Sequence, residues 1–321
     1  MSKMKVLITD GIHPVAKKNL LEIENVDSII NSATSVEELQ TVASDVDIVV
    51  IRSATKLTKE TLDYFQQLKL IIRAGVGVDN IDLSYAREKS IFVTNAPNGN
   101  FQSTAEMAMG LIFSCARKIP QATIYARDIN WQKKKLAKQG RQINGSNLGI
   151  FGAGNIGMRL ANMAKALGMN VSICDPVYSS GPFEKVNFEQ LCSTSDFISI
   201  HAPILDSTKH IFNTEAFKNM KETSYLINAA RGGIVNDNDL LLAIKNNVIA
   251  GAALDVYEVE PYDKENSVYQ ELLVHENIIC TPHMGASTIE AQKAVGLESV
   301  EKIKSFLVTN SQGKPPVFNL F

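Results

Sequence analysis

Asn147-Leu148-Gly149-Ile150-Phe151-Gly152-Ala153-Gly154-Asn155-Ile156-Gly157 is the stretch on which the fold turns. A β-rich run passes straight into Gly-x-Gly-x-x-Gly, an amphipathic segment follows, and the next apolar run, Val171-Ser172-Ile173-Cys174, ends on Asp175. Glycines alone in this spacing say little. Placed between a strand and a helix, with an acid closing the following strand, they read as a dinucleotide-binding fingerprint. Gly152 permits the tight turn, Gly154 lets the backbone approach a pyrophosphate, and Gly157 lets helix and strand pack closely. The helix start at Asn155 and Ile156 supplies N–H donors and positive potential. Asp175 would accept bonds from the adenosine ribose hydroxyls and repel a 2′-phosphate. No arginine follows it in Pro176-Val177-Tyr178-Ser179, so the expected cofactor is NAD. The plainer alternative is that the glycines serve packing and Asp175 caps a turn.

Downstream, Phe197-Ile198-Ser199-Ile200, Tyr225-Leu226-Ile227, Gly251-Ala252-Ala253-Leu254 and Ile278-Ile279-Cys280 continue the strands, mostly with helical patterns between them. Upstream, Val6-Leu7-Ile8, Asp47-Ile48-Val49-Val50-Ile51, Leu70-Ile71-Ile72 and Ile91-Phe92-Val93 read as parallel strands buried on both faces. Ser35 with Glu38 is a capping-box pattern opening a helix to Ala43. A long helix over 103–117 breaks this rhythm, and a polar stretch from Trp131 to Gly145 follows it. The α/β alternation predicts two doubly wound parallel-sheet domains. After His283 a last helical pattern, 287–307, is expected to pack back on the first sheet. The first domain is then discontinuous, 1–99 with 286–321, around a second domain over 100–285. Gly75-Val76-Gly77 also follows a strand but lacks the third glycine, and reads as a substrate-side loop.

The 321 residues suit two domains of ordinary size. A net charge of −2 gives no basic field for nucleic acid or an anionic membrane. Cys115, Cys174, Cys192 and Cys280 show no zinc-ligand spacing, so buried reduced thiols and no metal are expected. The apolar run at Val6 is too short for a signal peptide, and the apolar stretch 107–116 is too short for a membrane span. A cytoplasmic protein is expected.

Three further motifs carry chemistry. Arg231 stands in Asn228-Ala229-Ala230-Arg231-Gly232-Gly233, Glu260 precedes Pro261, and His283 follows Thr281-Pro282 and leads into Gly285-Ala286-Ser287. A guanidinium suits a substrate carboxylate, an imidazole suits proton transfer, and a carboxylate tunes that imidazole. Singly, each has a structural alternative: a surface ion pair, a satisfied loop histidine, a turn acid before proline. In this order after a cofactor fingerprint, they read as catalytic.

With Arg52-Ser53-Ala54-Thr55-Lys56, Arg73-Ala74-Gly75-Val76-Gly77-Val78-Asp79-Asn80-Ile81-Asp82, Asn95-Ala96-Pro97-Asn98-Gly99-Asn100 and His201-Ala202-Pro203 added, the chain resembles the D-isomer-specific 2-hydroxy acid dehydrogenases over nearly its whole length. Within them it is most similar to the branch acting on 3-phosphoglycerate. The resemblance implies a flavodoxin-like substrate domain beside a Rossmann NAD-binding domain. It implies that His283 takes the C2 hydroxyl proton, Arg231 holds the carboxylate, and Glu260 raises the pKa of the imidazole. Asp255 is expected at the nicotinamide carboxamide. Val76, His201, Ala202, Pro203, Ala229, Ala230, Gly285 and Ala286 are expected along the cofactor. For the small-molecule substrate the expected contacts are Arg52, Ser53, Gly75, Val76 and Asn100. A homodimer through the helix 103–117 and the following arm is implied, with Lys133 reaching a partner's phosphate site. A lysine run is otherwise a solvated face.

Asn155 stands where many relatives carry arginine, and Val76 where some carry a hydroxyl. The short stretch after His283 leaves no room for C-terminal regulatory domains, so serine feedback through one is not expected. A glyoxylate, hydroxypyruvate or glycerate reductase is the enzyme alternative, and an NAD-sensing corepressor-like scaffold the non-enzyme one. Glutamate at 260, where formate dehydrogenases tend to carry glutamine, argues against that activity.

Overall fold

The computed structural model describes residues 3–30, 35–129, 131–137, 139–312 and 320. The chain divides into two compact units, Met1–Phe101 with Ser287–Phe321, and Gln102–Ala286.

The first unit is built on β1 (Met4–Ile8), β2 (Val26–Ile30), β3 (Ile48–Ile51), β4 (Leu70–Arg73) and β5 (Phe92–Asn95), all parallel in the order β2-β1-β3-β4-β5. This is the flavodoxin-like order. Alternate residues feed two cores, as the period of two requires. Val6, Ile8, Ile48, Val50, Leu70 and Ile72 point to one face, Leu7, Val49, Ile51 and Ile71 to the other. The helix Ile289–Ser311 covers the first face with Val295, Val300, Ile303 and Phe306. It does pack on the first sheet. Its Gly296 lies against the helix Pro14–Leu21 so closely that a Cβ there would stand 2.8 Å from Ala16 Cβ. The Ser35–Glu38 capping box is present at the helix Val36–Val42. One strand, β2, was not anticipated, because Asp27 and Ser28 interrupt its apolar pattern at the sheet edge.

The second unit carries β6 (Asn147–Phe151), β7 (Asn170–Cys174), β8 (Glu184–Lys185), β9 (Phe197–Ile200), β10 (Tyr225–Asn228), β11 (Gly251–Leu254) and β12 (Ile278–Cys280). They are parallel in the order β12-β11-β10-β9-β6-β7-β8, a Rossmann order in which the strand order reverses between β6 and β9. Two-sided burial follows the same alternation: Ile198, Ile200, Leu226 and Leu254 face one core, Phe197, Tyr225, Ile227 and Ala253 the other. The predicted long helix spans Phe101–Arg117. A helix the sequence reading missed, Ile119–Arg127, follows at once, its turn made by Lys118 at φ 52° and Pro120 in its first turn.

All four cysteines are unpaired, and two of them, Cys174 and Cys280, are only half-buried rather than fully enclosed as expected. Burial pushes the Cys115 and Cys192 thiols up to about 12, which keeps them protonated and inert.

Candidate active site

Every predicted site residue of the second unit except Lys133 lies in a loop after a strand or at the helix start that such a loop opens, on the side where open α/β sheets place ligands. After β6 the chain turns at Gly152 with φ 100°, and a Cβ there would meet Ala202 N at 2.6 Å. A Cβ on Gly157 would lie 2.1 Å from Gly152 O. Both glycines are therefore demanded by packing. Gly154 is different. Its φ is −70°, a value open to any residue, and nothing lies within 4 Å of its Cβ position. The fold leaves that space empty at the N-terminus of the helix Asn155–Ala166, where Gly154 makes no side-chain cap.

Asp175, just past β7, accepts from the N–H groups of Ala153 at 2.7 Å, Val177 at 2.7 Å and Tyr178 at 3.1 Å. The turn-capping alternative is thus real, and the same carboxylate also pins the glycine loop. His201 follows β9, its Nε2 2.9 Å from Ser199 Oγ, and burial pushes its pKa down to about 3. Its ring is neutral, and its buried Nδ1 has no hydrogen-bond partner among the described residues. Ala202 is buried and Pro203 exposed beside it.

After β10, Asn228 braces the loop from within. Its Oδ1 accepts from Ala230 N at 3.1 Å, and its Nδ2 donates to Arg231 O at 2.9 Å. Arg231 is half-buried, and a Cβ on the next residue, Gly232, would meet Tyr257 O at 1.8 Å, so the loops carrying Arg231 and Glu260 are in backbone contact. Glu260 Oε1 accepts from Tyr257 N at 2.9 Å, and its Oε2 lies 2.5 Å from His283 Nδ1. Burial pushes the Glu260 carboxyl up, but the His283 bond and charge, the Tyr257 N–H and the Arg231 charge together bring it below its usual value. Arg231, Glu260 and His283, far apart in sequence, are therefore neighbours. His283 and Glu260 are open to solvent.

His283 adopts φ 51°, a left-handed value that costs a non-glycine residue about 1 kcal/mol or more. Asp255 holds it there. One oxygen takes Thr281 Oγ1 at 2.6 Å and Met284 N at 2.9 Å, and the other takes Gly285 N at 2.7 Å. With 1% of its surface exposed, Asp255 acts inward on this loop. Ala286 ends the loop, half-buried, as Ala229 and Ala230 lie buried and half-buried before Arg231. Asn228, Tyr257 and Thr281 were not singled out from sequence, although Asn228 and Thr281 sit inside quoted motifs.

The first unit presents its candidates in the same topological place. Arg52 and Ser53 follow β3. The Asp10 carboxylate accepts from Arg52 N and Thr55 N, and the Asn80 amide donates to Arg52 O and Thr55 O at 2.7 and 2.6 Å. Gly75 and Val76 follow β4. Gly75 has φ 149°, and Asn95 Nδ2 donates to Val76 O at 2.7 Å. Asn100 is buried. Lys133, exposed at the start of the helix Lys133–Ala137 in the second unit, is not among the residues gathered at His283. Its neighbour Lys135 is engaged instead by Tyr125 and Glu276.

Residues 109–285 match the NAD binding domain of D-isomer specific 2-hydroxyacid dehydrogenases. The chain is 40% identical over 305 residues to the hydroxypyruvate reductase of Thermotoga maritima, covering 94% of this chain and 98% of that one. It is 41% identical over 310 residues to the D-3-phosphoglycerate dehydrogenase of Methanocaldococcus jannaschii, covering 95% of this chain but 57% of that one, so it spans little more than half of that relative. The structure is similar to D-lactate dehydrogenase from Aquifex aeolicus complexed with NAD and lactic acid, with a TM-score of 0.83 and 29% identity over 96% of each chain.

Proposed function

The chain belongs to the D-isomer specific 2-hydroxyacid dehydrogenase family, and from that premise we propose that it oxidises D-3-phosphoglycerate to 3-phosphohydroxypyruvate, the first step of serine biosynthesis. The observation that carries the chemistry is the 2.5 Å contact of His283 Nδ1 with Glu260 Oε2, beside the Arg231 charge. Glu260 engages Nδ1, so Nε2 is the nitrogen that takes the C2 hydroxyl proton and returns it in the reverse reaction. Arg231 offers its fork to the carboxylate and the C2 oxygen, orienting C2. Glu260, kept ionised by its surroundings, stabilises the positive ring that forms.

NAD, the family's cofactor, supplies the hydride acceptor for C2. The residues fit it: the empty space at Gly154, the helix start without a side-chain cap, and Asp175 at the end of β7 suit a dinucleotide phosphate and ribose. We assign Val76, Asn155, Ile156, His201, Ala202, Pro203, Ala229, Ala230, Gly285 and Ala286 to the same cofactor.

For the substrate phosphate we assign Arg52 and Ser53, with Asn100, and Lys133 acting in a partner's site of a homodimer. Rigid bracing of the Arg52 loop by Asp10 and Asn80 supports a binding role there. We place the enzyme in the cytoplasm. Among the described residues no helix is long and apolar enough to cross a membrane.

A second reading, reduction of hydroxypyruvate, is favoured by the Thermotoga relative matched over 98% of its length. Comparing kcat/KM for 3-phosphohydroxypyruvate and hydroxypyruvate separates the two. A preference of about a hundredfold or more for the phosphorylated acid is expected; equal or reversed values favour the reductase.

A further inference from the structure

The loop 257–260 carries Glu260, and each of the three amides before it is taken by a side chain. Tyr257 N–H donates to Glu260 itself, Glu258 N–H to Asp237 Oδ2 at 3.0 Å, and Val259 N–H to the Tyr269 hydroxyl oxygen at 3.1 Å. Tyr269 gives its own proton to that same Asp237 oxygen at 3.0 Å. Asp237 N–H in turn donates to Glu258 Oε2 at 3.2 Å, while Glu258 Oε1 lies 2.5 Å from His210 Nε2. Asp237 and Tyr269 are each 3% exposed. Asp237 and Tyr269 form the buried part of this network, and breaking either leaves a desolvated polar group without a partner.

We propose that Tyr269 and Asp237 are positioning residues for Glu260, fixing the carboxylate that holds His283 Nδ1 and so setting the aim of His283 Nε2. The proposal rests on His283 being the acid/base. Tyr269 reaches across from the helix Ser267–Leu272 and Asp237 from the start of the helix Asp237–Lys245, so two helices grip one loop from beneath. The charged and titratable groups facing the network are Glu258 and His210 around Asp237, and Arg231 and His283 around Glu260. A small drift of Glu260 tilts the imidazole, and catalysis is sensitive to displacements of about 1 Å.

Tyr269→Phe removes the hydroxyl and keeps the ring, which packs edge-on against Tyr257 with centroids 6.2 Å apart. Its kcat is expected to fall about tenfold, with KM for NAD within about twofold of wild type. In NAD-free protein labelled with ring-15N histidine, the Nδ1–H resonance of His283, assigned by its loss in His283→Ala, is expected to shift or broaden. Asp237→Asn can keep an acceptor oxygen where Oδ2 lies and is expected within about threefold of wild-type kcat, whereas Asp237→Ala falls with Tyr269→Phe. Wild-type kcat and an unmoved His283 resonance in Tyr269→Phe overturn the proposal; if that variant does not fold, the same result in Asp237→Ala overturns it. Persistent turnover in His283→Ala overturns the acid/base reading instead. The resonance, read without substrate or cofactor, then still decides whether Tyr269 holds the pair.

Discussion

Gly157 stands directly against Gly152: a Cβ on the first would lie 2.1 Å from the carbonyl oxygen of the second. Helix start and tight turn share that contact, so Gly157→Ala must push backbone apart and is expected to destabilise the protein by about 1–3 kcal/mol. Gly154→Ala meets open space at an ordinary φ and is expected to cost less than about 1 kcal/mol as an N-cap change. It should instead weaken NAD binding about tenfold or more, about 1.4 kcal/mol. Thermal denaturation and NAD titration of the two variants check this. Wild-type NAD affinity in Gly154→Ala would show that the empty space is not the pyrophosphate's.

His283→Ala is expected to lower kcat by about a thousandfold, the scale of a lost general acid/base. NAD titrated by fluorescence should bind nearly as in wild type. Near-normal turnover would take His283 out of the mechanism.

Arg52→Ala should raise KM for 3-phosphoglycerate about tenfold or more and leave KM for an unphosphorylated 2-hydroxy acid nearly unchanged. Steady-state kinetics on both substrates make the comparison. An equal rise for both would place the phosphate elsewhere.

Asp237 gives a pH dependence with a definite sign. Burial pushes its carboxyl from 3.8 to about 6, against the opposing bonds from Glu258 N–H and the Tyr269 hydroxyl. Between those values the folded state holds a proton that the unfolded state has lost. Its contribution is therefore present below pH 3.8 and lost as pH rises through about 6. Asp237→Asn removes this liability, which amounts to roughly 3 kcal/mol at most. Its Tm relative to wild type should be higher at neutral pH than near pH 4, and a pH-independent difference would contradict the burial effect.

The chain showed its sheets readily where strands are buried on both faces, as in Ile48-Val49-Val50-Ile51 or Phe197-Ile198-Ser199-Ile200, because continuous apolar runs need no partner to be recognised. It hid β2, whose edge position tolerates Asp27 and Ser28, and the helix Ile119–Arg127, because Pro120 reads as a breaker until its first-turn place is known. The candidate centre followed from residue types at three loops. What one sequence did not disclose is how those loops are held. Asp255 reads in the sequence as a candidate cofactor contact and not as the carboxylate that folds the 281–285 turn onto itself. Asp237 and Tyr269 lie 21 and 10 positions from the amides they bind, and no local pattern announces such a bond.

The helix Ile289–Ser311 supplies Val300, Ile303 and Phe306 to a face whose other side chains come from the opening hundred residues. During synthesis the ribosome therefore releases the β1–β5 segment long before its lid exists, and the intervening unit is complete first. Until the last helix emerges, that apolar side of the nascent sheet is covered only in part, by the helix Pro14–Leu21, which makes this stretch the natural client for a chaperone and the first casualty of a premature stop codon.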